Sequence, residues 1–436
     1  MKEIVESIIQ PEPKVLREFV FEITTTALCD LACTYCFEGE KTDRTKLTDY
    51  ETIFENIKFL QRSSYFMERF DSICITFWGG EPTLNPDIII RAANAFKLNY
   101  GIKFMIYTNG YNAKNLNRIL DHFKSLDILN RLTIQVSYDG KVINDQYRLT
   151  KTGASTKKEV LNNFLNIVKD YCDTGSTGTT GLNFLSLKAT IPLQALETVD
   201  TLIDTWDEFY QIDNLIRVKY PNLKNINVQY SPTLDYVNIL PVNKKLELVK
   251  HFTTAITEIV KKEYQFYKKY NSFIMSWFKA GTSGYNNLSH RSHCSAGSNL
   301  IALNVDGSLN FCHGSLYIKD SKDLKMSLNF MEPLMETGYN EIVAFLERYK
   351  IAENYNVENL NSVCTDCAAT YCAMCPAAIY SLNKARTGNQ STSEIPESSS
   401  TQIQNLYNND NEFNNCIFYK SFGSIDRILH KMLKEN

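Results

Sequence analysis

Between residues 19 and 231 the sequence alternates short β-forming runs with helical periodicity, and this constrains the fold more than any other feature. The runs are FVFEIT (19–24), SICITFWGG (72–80), KFMIYTNG (103–110), RLTIQVSYDG (131–140), a segment near 184–191 and NINVQYS (225–231). Between them apolar residues recur at helical spacing. In DYETIFENIKFLQR, Ile53, Phe54, Ile57 and Leu60 share one face, with Thr48 as the expected N-cap. Further helices are expected near 86–99, 114–127, 156–171 and 195–210. Strict alternation predicts parallel strands joined by crossover helices, in an open doubly wound sheet or a full or partial barrel. In either case ligands bind at the carboxyl ends of the strands. CDLACTYC, WGGEP, YTNG and SYDG all fall just after strands, so all four are expected on one rim.

A chain of 436 residues exceeds the size at which one core stops growing, so two or three domains are expected. A helical stretch over 244–280 is expected to connect two of them, ahead of a cysteine-rich C-terminal region. DTGSTGTTG (173–181) and roughly 384–415 are polar and poor in aliphatic anchors, and are expected to be mobile. The net charge of -3 provides no basic field, which argues against nucleic acid or a membrane surface as partner. No secretory signal opens the sequence and no run of about 18 uncharged apolar residues occurs. A cytoplasmic location is therefore expected, where thiols stay reduced and serve metals or catalysis more often than disulfides.

The 12 cysteines are clustered. Cys29, Cys33 and Cys36 form C-x3-C-x2-C in a loop after the first strand, Cys74 and Cys172 stand alone, and seven follow residue 290. Three thiolates hold three irons of a [4Fe-4S] cluster and leave the fourth open to an outside ligand, whereas a closed cluster takes four cysteines. A complete zinc site is not expected from this segment, which has no nearby histidine. Cys74, inside an apolar strand, reads as a core residue.

With Tyr35 before Cys36, the loop resembles the signature of the radical S-adenosylmethionine (SAM) enzymes. The resemblance implies that SAM chelates the open iron and is cleaved to methionine and a 5′-deoxyadenosyl radical, which abstracts a hydrogen atom. Gly79, Gly80, Glu81 and Pro82 resemble the GGEP motif that binds the SAM ammonium. Ser137 and Asp139, then Arg148, resemble the residues that meet the ribose and the SAM carboxylate in peptide-modifying members, and Asn109 of YTNG joins this set. An arginine fork suits a carboxylate.

Cys294, Gly307 and Cys312 make C-x12-G-x4-C, followed by Cys364, Cys367, Cys372 and Cys375 in CTDCAATYCAMC and by Cys416. This order resembles the SPASM extension, although both inner spacings of the quartet are one residue shorter than in that family. The resemblance implies two auxiliary [4Fe-4S] clusters, one on Cys294, Cys312 and Cys375 and one on Cys364, Cys367, Cys372 and Cys416. The first of these lacks a fourth thiolate, a place for which the flanking His293 and His313 are candidates. A tetrahedral zinc site on the quartet is the alternative, and it leaves Cys294, Cys312 and Cys416 idle. In anaerobic sulfatase maturases an aspartate base follows the cysteine that matches Cys312. His313 stands there instead, as a base, a cluster ligand or a structural hydrogen bonder.

The implied architecture is an α/β partial (β/α)6 barrel over 15–235, a bridging helical region over 236–290 and a SPASM domain over 291–425. The implied enzyme is a radical SAM maturase that crosslinks a ribosomally synthesised peptide through a thioether or carbon–carbon bond. It would draw electrons from a donor such as flavodoxin or ferredoxin. Cys29 comes too early for an N-terminal leader-binding domain, so the leader is expected to be read by a separate leader-peptide-binding protein or by the barrel itself, or to be absent. Formylglycine formation on a sulfatase is the alternative reaction. An iron–sulfur electron carrier is the alternative of another class, and it leaves GGEP, SYDG and Arg148 unexplained.

Overall fold

The computed structural model describes residues 18–36, 47–172, 181–221, 223, 226–227, 233–234, 242–275, 278, 299–310, 312–313, 325–348 and 429. Strand β1 (Glu18–Thr26) is followed by helices α1 (Tyr50–Arg62) and α2 (Ser64–Arg69), strand β2 (Ser72–Gly79) and helix α3 (Pro86–Phe96). Next come β3 (Ile102–Thr108), α4 (Ala113–Ser125), β4 (Leu132–Ser137), α5 (Lys141–Tyr147), α6 (Lys157–Tyr171) and β5 (Phe184–Lys188). The short β6 (Thr190–Ile191), α7 (Val199–Lys219), β7 (Ile226–Asn227), β8 (Thr233–Leu234) and the long α8 (Val242–Tyr270) follow. Strands β9 (Leu300–Leu303), β10 (Ser308–Asn310) and β11 (Lys325–Asn329) and helix α9 (Glu336–Arg348) complete the described elements.

The main sheet has nine strands in the order β11-β10-β9-β1-β2-β3-β4-β5-β7. From β1 to β7 every pairing is parallel, as the alternation requires. Strand β9 pairs parallel to β1, placing Val20 opposite Leu300, and β10 and β11 extend that side antiparallel. The sheet is thus the expected partial barrel, continued across its first edge by strands beyond residue 299.

Alternation along each strand divides its two faces. Phe19, Phe21, Ile23, Ile75, Phe77, Phe104, Ile134, Val136, Leu185 and Leu187 are buried in the apolar core. Ring contacts of Phe19 with Phe66 of α2, at 4.9 Å, and of Phe104 with Phe123 of α4, at 5.2 Å, show that this face meets the helices. The opposite, inner face carries Glu22, Thr24, Cys74, Thr76, Trp78, Tyr107, Ser137, Ser186 and Lys188. A core on one side and a polar wall on the other is what a ligand-binding barrel needs.

Local chemistry sets the element ends. The α1 cap is Asp49 and not Thr48: the Asp49 side chain accepts from Thr52 N at 3.3 Å, satisfying an amide the helix leaves unpaired. The strand expected over 184–191 is interrupted at Ala189. Gly307 turns β9 into β10 with a φ of +83°; a Cβ there would lie 2.1 Å from Asn329 Oδ1. The glycine of C-x12-G-x4-C is therefore demanded by this turn. Helix α8 packs on α7, and the buried Glu263 carboxylate accepts from Trp206 Nε1 at 2.7 Å and Met275 N at 2.6 Å. Among the described residues no helix is long and apolar enough to cross a membrane.

Candidate active site

The cysteine loop leaves β1 at the carboxyl end of the sheet. Ala32 N donates to Leu149 O at 2.8 Å and Thr34 N to Tyr147 O at 2.9 Å, so the loop lies against the segment that follows α5. Cys36 N donates to Cys33 O at 3.1 Å and closes a tight turn. Cys29 is buried, while Cys33 and Cys36 are half-buried, and none of the three forms a disulfide among the described residues. This loop and the Tyr147–Leu149 segment place Arg148 next to the cysteines.

Gly79 and Gly80 lie beneath the same loop. A Cβ on Gly79 would stand 2.2 Å from Thr26 O, and one on Gly80 2.4 Å from Leu28 O. Backbone bonds follow from that closeness: Gly80 N donates to Thr26 O at 3.0 Å and Glu81 N to Leu28 O at 2.8 Å. The glycine pair therefore admits the chain leading into Cys29. The group that approaches these glycines is the protein's own backbone.

Glu81 is fully engaged. Its Oε1 accepts from Thr83 N at 3.0 Å, Thr83 Oγ1 at 2.7 Å and Thr108 Oγ1 at 2.8 Å, and its Oε2 from Asn109 N at 2.7 Å. Burial pushes the carboxyl pKa up, opposed by these donors. Glu81 thus ties the loop after β2 to the loop after β3. Asn109 extends the tie, its Nδ2 donating to Asp30 Oδ1 at 2.7 Å and lying 3.8 Å from Cys29 Sγ.

Asp139 anchors the loop after β4. It is wholly buried, and its Oδ2 accepts from Arg148 Nε at 2.9 Å and from the Tyr35 hydroxyl. Its Oδ1 accepts from Thr190 N at 2.7 Å. Burial opposes the Arg148 charge, but Asp139, Tyr35 and Cys33 hold the guanidinium firmly protonated. Burial, with Asp139 beside it, pushes the Tyr35 phenol well above its usual range. Only Nε of Arg148 is committed to Asp139, which leaves the terminal guanidinium fork for another acceptor. Ser137 ends β4 on the inner face.

His313 comes from the other end of the chain. Its Nδ1 lies 2.8 Å from both oxygens of the buried Glu22 of β1, and its backbone N donates to Glu22 Oε2 at 3.1 Å. The imidazole lies against Trp78 of β2, with ring centroids 4.2 Å apart and the planes tilted by 41°. A carboxylate only accepts, so Glu22 fixes the proton on Nδ1. Glu22 was missed in the sequence because FVFEIT reads as an apolar run. Its position three residues after Phe19, where strand alternation turns it away from the core, was the available signal.

The structure thus gathers Tyr35, Gly79, Gly80, Glu81, Asn109, Ser137, Asp139 and Arg148 around the cysteine loop, and adds Cys312 and His313 to the inner wall. Cys294, Cys364, Cys367, Cys372, Cys375, Cys416 and His293 lie outside the described residues. Among the described residues no three His, Cys, Asp or Glu side chains converge on a position for a single metal ion. The donor set of the loop, three thiols with no disulfide and a buried cation beside them, has the chemistry of iron–sulfur ligation with an anion nearby. Cys74 and Cys172 are different: burial pushes each thiol up to about 12.

Known proteins resemble this chain in sequence and in fold. Residues 23–190 match the model of the radical SAM superfamily. An uncharacterised protein of Methanocaldococcus jannaschii, MJ0907, is 29% identical over 157 residues, which are 36% of this chain and 50% of that one. The chain thus spans about half the length of this curated relative. Among solved structures, native anSMEcpe with bound AdoMet and the Cp18Cys peptide has a similar fold, with a TM-score of 0.55 and 15% identity over 95% of this chain and 99% of that one. Streptococcus suis SuiB bound to S-adenosylmethionine aligns with a TM-score of 0.45 and 16% identity over 80% of this chain and 71% of that one. Residues 23–190 thus carry a radical SAM domain, the part of the chain that the superfamily model matches.

Proposed function

We propose that the chain is a radical SAM maturase that acts on a ribosomally synthesised peptide and forms a thioether or carbon–carbon crosslink. The observation that carries this reading is the convergence of the cysteine loop, the Gly79–Gly80 pair and the Asp139–Arg148 pair on one rim. Cys29, Cys33 and Cys36 would hold the SAM-binding [4Fe-4S] cluster. Cys294, Cys312 and Cys375, and Cys364, Cys367, Cys372 and Cys416, would hold two auxiliary clusters in a C-terminal SPASM domain. When bound, the first cluster and SAM supply the reductive cleavage that begins hydrogen abstraction.

The chain's own residues organise that chemistry. Arg148, held by Asp139, presents its fork toward the carboxylate of SAM. Glu81 and Asn109 fix the loops on either side of Cys29. Ser137 offers a hydroxyl to the ribose, and the inner wall excludes bulk water from the peptide. Electrons would come from a flavodoxin or ferredoxin. His313 in place of an aspartate disfavours formylglycine formation on a sulfatase.

Anaerobic reconstitution tests the reading. About twelve irons per chain are expected from three clusters, and dithionite with SAM should yield 5′-deoxyadenosine. Four irons with bound zinc would reject the auxiliary clusters, and no 5′-deoxyadenosine would sink the enzyme reading. Mass spectrometry of a co-expressed neighbouring peptide should show a loss of two hydrogens per crosslink.

A further inference from the structure

Lys188 ends β5 on the inner face of the sheet, in register with Ser137 of β4. The buried Leu185 and Leu187 face the core, so Phe184, Ser186 and Lys188 turn the other way. The Lys188 side chain is half-buried, and burial pushes the ammonium pKa down. Among the described residues its Nζ has no ion-pair or hydrogen-bond partner. The other cation of the rim, Arg148, has Asp139 as counter-ion and feels Cys33. Among the described residues, Arg148 and Lys188 share this rim and only Arg148 has a counter-ion.

A desolvated ammonium with no counter-ion destabilises the state that buries it. An anionic ligand group at that position removes the penalty. Arg148 stands beside the cysteine loop through the Tyr147–Leu149 segment, whereas Lys188 ends β5, the strand beyond β4. The two cations therefore serve different parts of the bound ligands.

We propose that Lys188 binds a carboxylate of the peptide substrate, so that the site selects a peptide with an acidic side chain near the residue it modifies. This rests on the maturase reading above. Apolar or neutral peptides leave Lys188 desolvated and unpaired, so they bind less well.

The test compares the reconstituted wild type with Lys188→Met and Lys188→Arg by equilibrium binding under anaerobic conditions. The probes are SAM, decarboxylated SAM and two synthetic peptides that differ only by Glu or Gln at a central position. Wild type should bind the Glu peptide roughly tenfold or more tightly than the Gln peptide, the effect of one charged hydrogen bond. Lys188→Met should abolish that preference and Lys188→Arg should retain it, with the ratio of SAM to decarboxylated SAM affinity unchanged in all three. A loss of SAM affinity alone in Lys188→Met would assign the carboxylate to SAM and overturn the peptide assignment. Equal binding of both peptides by wild type would also overturn it. Lys188→Met should raise Tm, because it removes an uncompensated charge; a lowered Tm marks a structural cation and counts against the proposal. Binding is read without turnover, so failure here is distinct from failure of 5′-deoxyadenosine formation, which sinks the maturase reading.

Discussion

Two carboxylates organise the inner wall, and they do so over different distances. Asp139 joins neighbours: Arg148 lies nine residues on, and both stand in the loops around α5. Glu22 joins the two ends of the chain, since its partner His313 lies 291 residues away. The first contact is closed, with both partners nearly inaccessible, at 0% and 8% side-chain exposure. The second is open on one side, with His313 at 36%. The difference teaches that the rim is built from sequence neighbours, whereas the segment bearing Cys312 is joined to the barrel by contacts distant in sequence, with Glu22, with Trp78 and through the β9–β1 pairing.

The strongest way to break that contrast is Asp139→Ala. It leaves Arg148 buried without a counter-ion and deprives Tyr35 and Thr190 N of their acceptor. A loss of about 3–5 kcal/mol is expected from denaturant unfolding, with loss of SAM binding. A smaller cost would show that the pair is solvated. Glu81→Gln comes next, because its amide nitrogen would face a donor that the carboxylate now accepts. About 1–3 kcal/mol is expected, and the loops after β2 and β3 should exchange amide hydrogens faster.

Glu22→Gln sharpens the comparison from the other side. His313 is partly solvated, so the expected cost is only about 0.5–1 kcal/mol. SAM cleavage measured without peptide should stay near wild type, while product formation falls, because the rim keeps its own contacts. Equal loss of both activities would show that Glu22 supports the rim as well.

The same contrast governs what the sequence disclosed. The strands β1 to β5 and the motifs at their ends were legible because parallel alternation sends every βα loop to one rim. Arg148 was legible as a candidate through its place after SYDG, but its pairing with Asp139 was not, since spacing does not fix a side chain's direction. Strand β9 was hidden because Leu300 pairs with Val20, 280 positions away, and no local pattern encodes that partner. Glu22 and Lys188 were hidden for one reason: each is a charge in a short apolar run, and only the sheet's two faces distinguish inner wall from core. The Thr48 and Asp49 capping choice turned on one residue, where both types cap well.

Cys74 gives the smallest expected effect. It shares the inner face of β2 with Trp78 but belongs to no motif, and burial pushes its thiol to about 12. At pH 8 a thiol of ordinary pKa, about 8.5, is partly thiolate, whereas this one is almost wholly protonated. Alkylation of Cys74 followed by peptide mass spectrometry should therefore run more than about a hundredfold slower than for an unstructured thiol. Its folded pKa lies above the unfolded value, so the unfolded chain gives up its proton first. Between about 8.5 and about 12 this group makes stability fall as pH rises, by at most about 1.4 kcal/mol per pH unit. Cys74→Ala should remove that slope and leave SAM cleavage at neutral pH unchanged. A Cys74 that labels as fast as an exposed thiol would place it with the reactive cysteines of the rim and break the division between motif and wall.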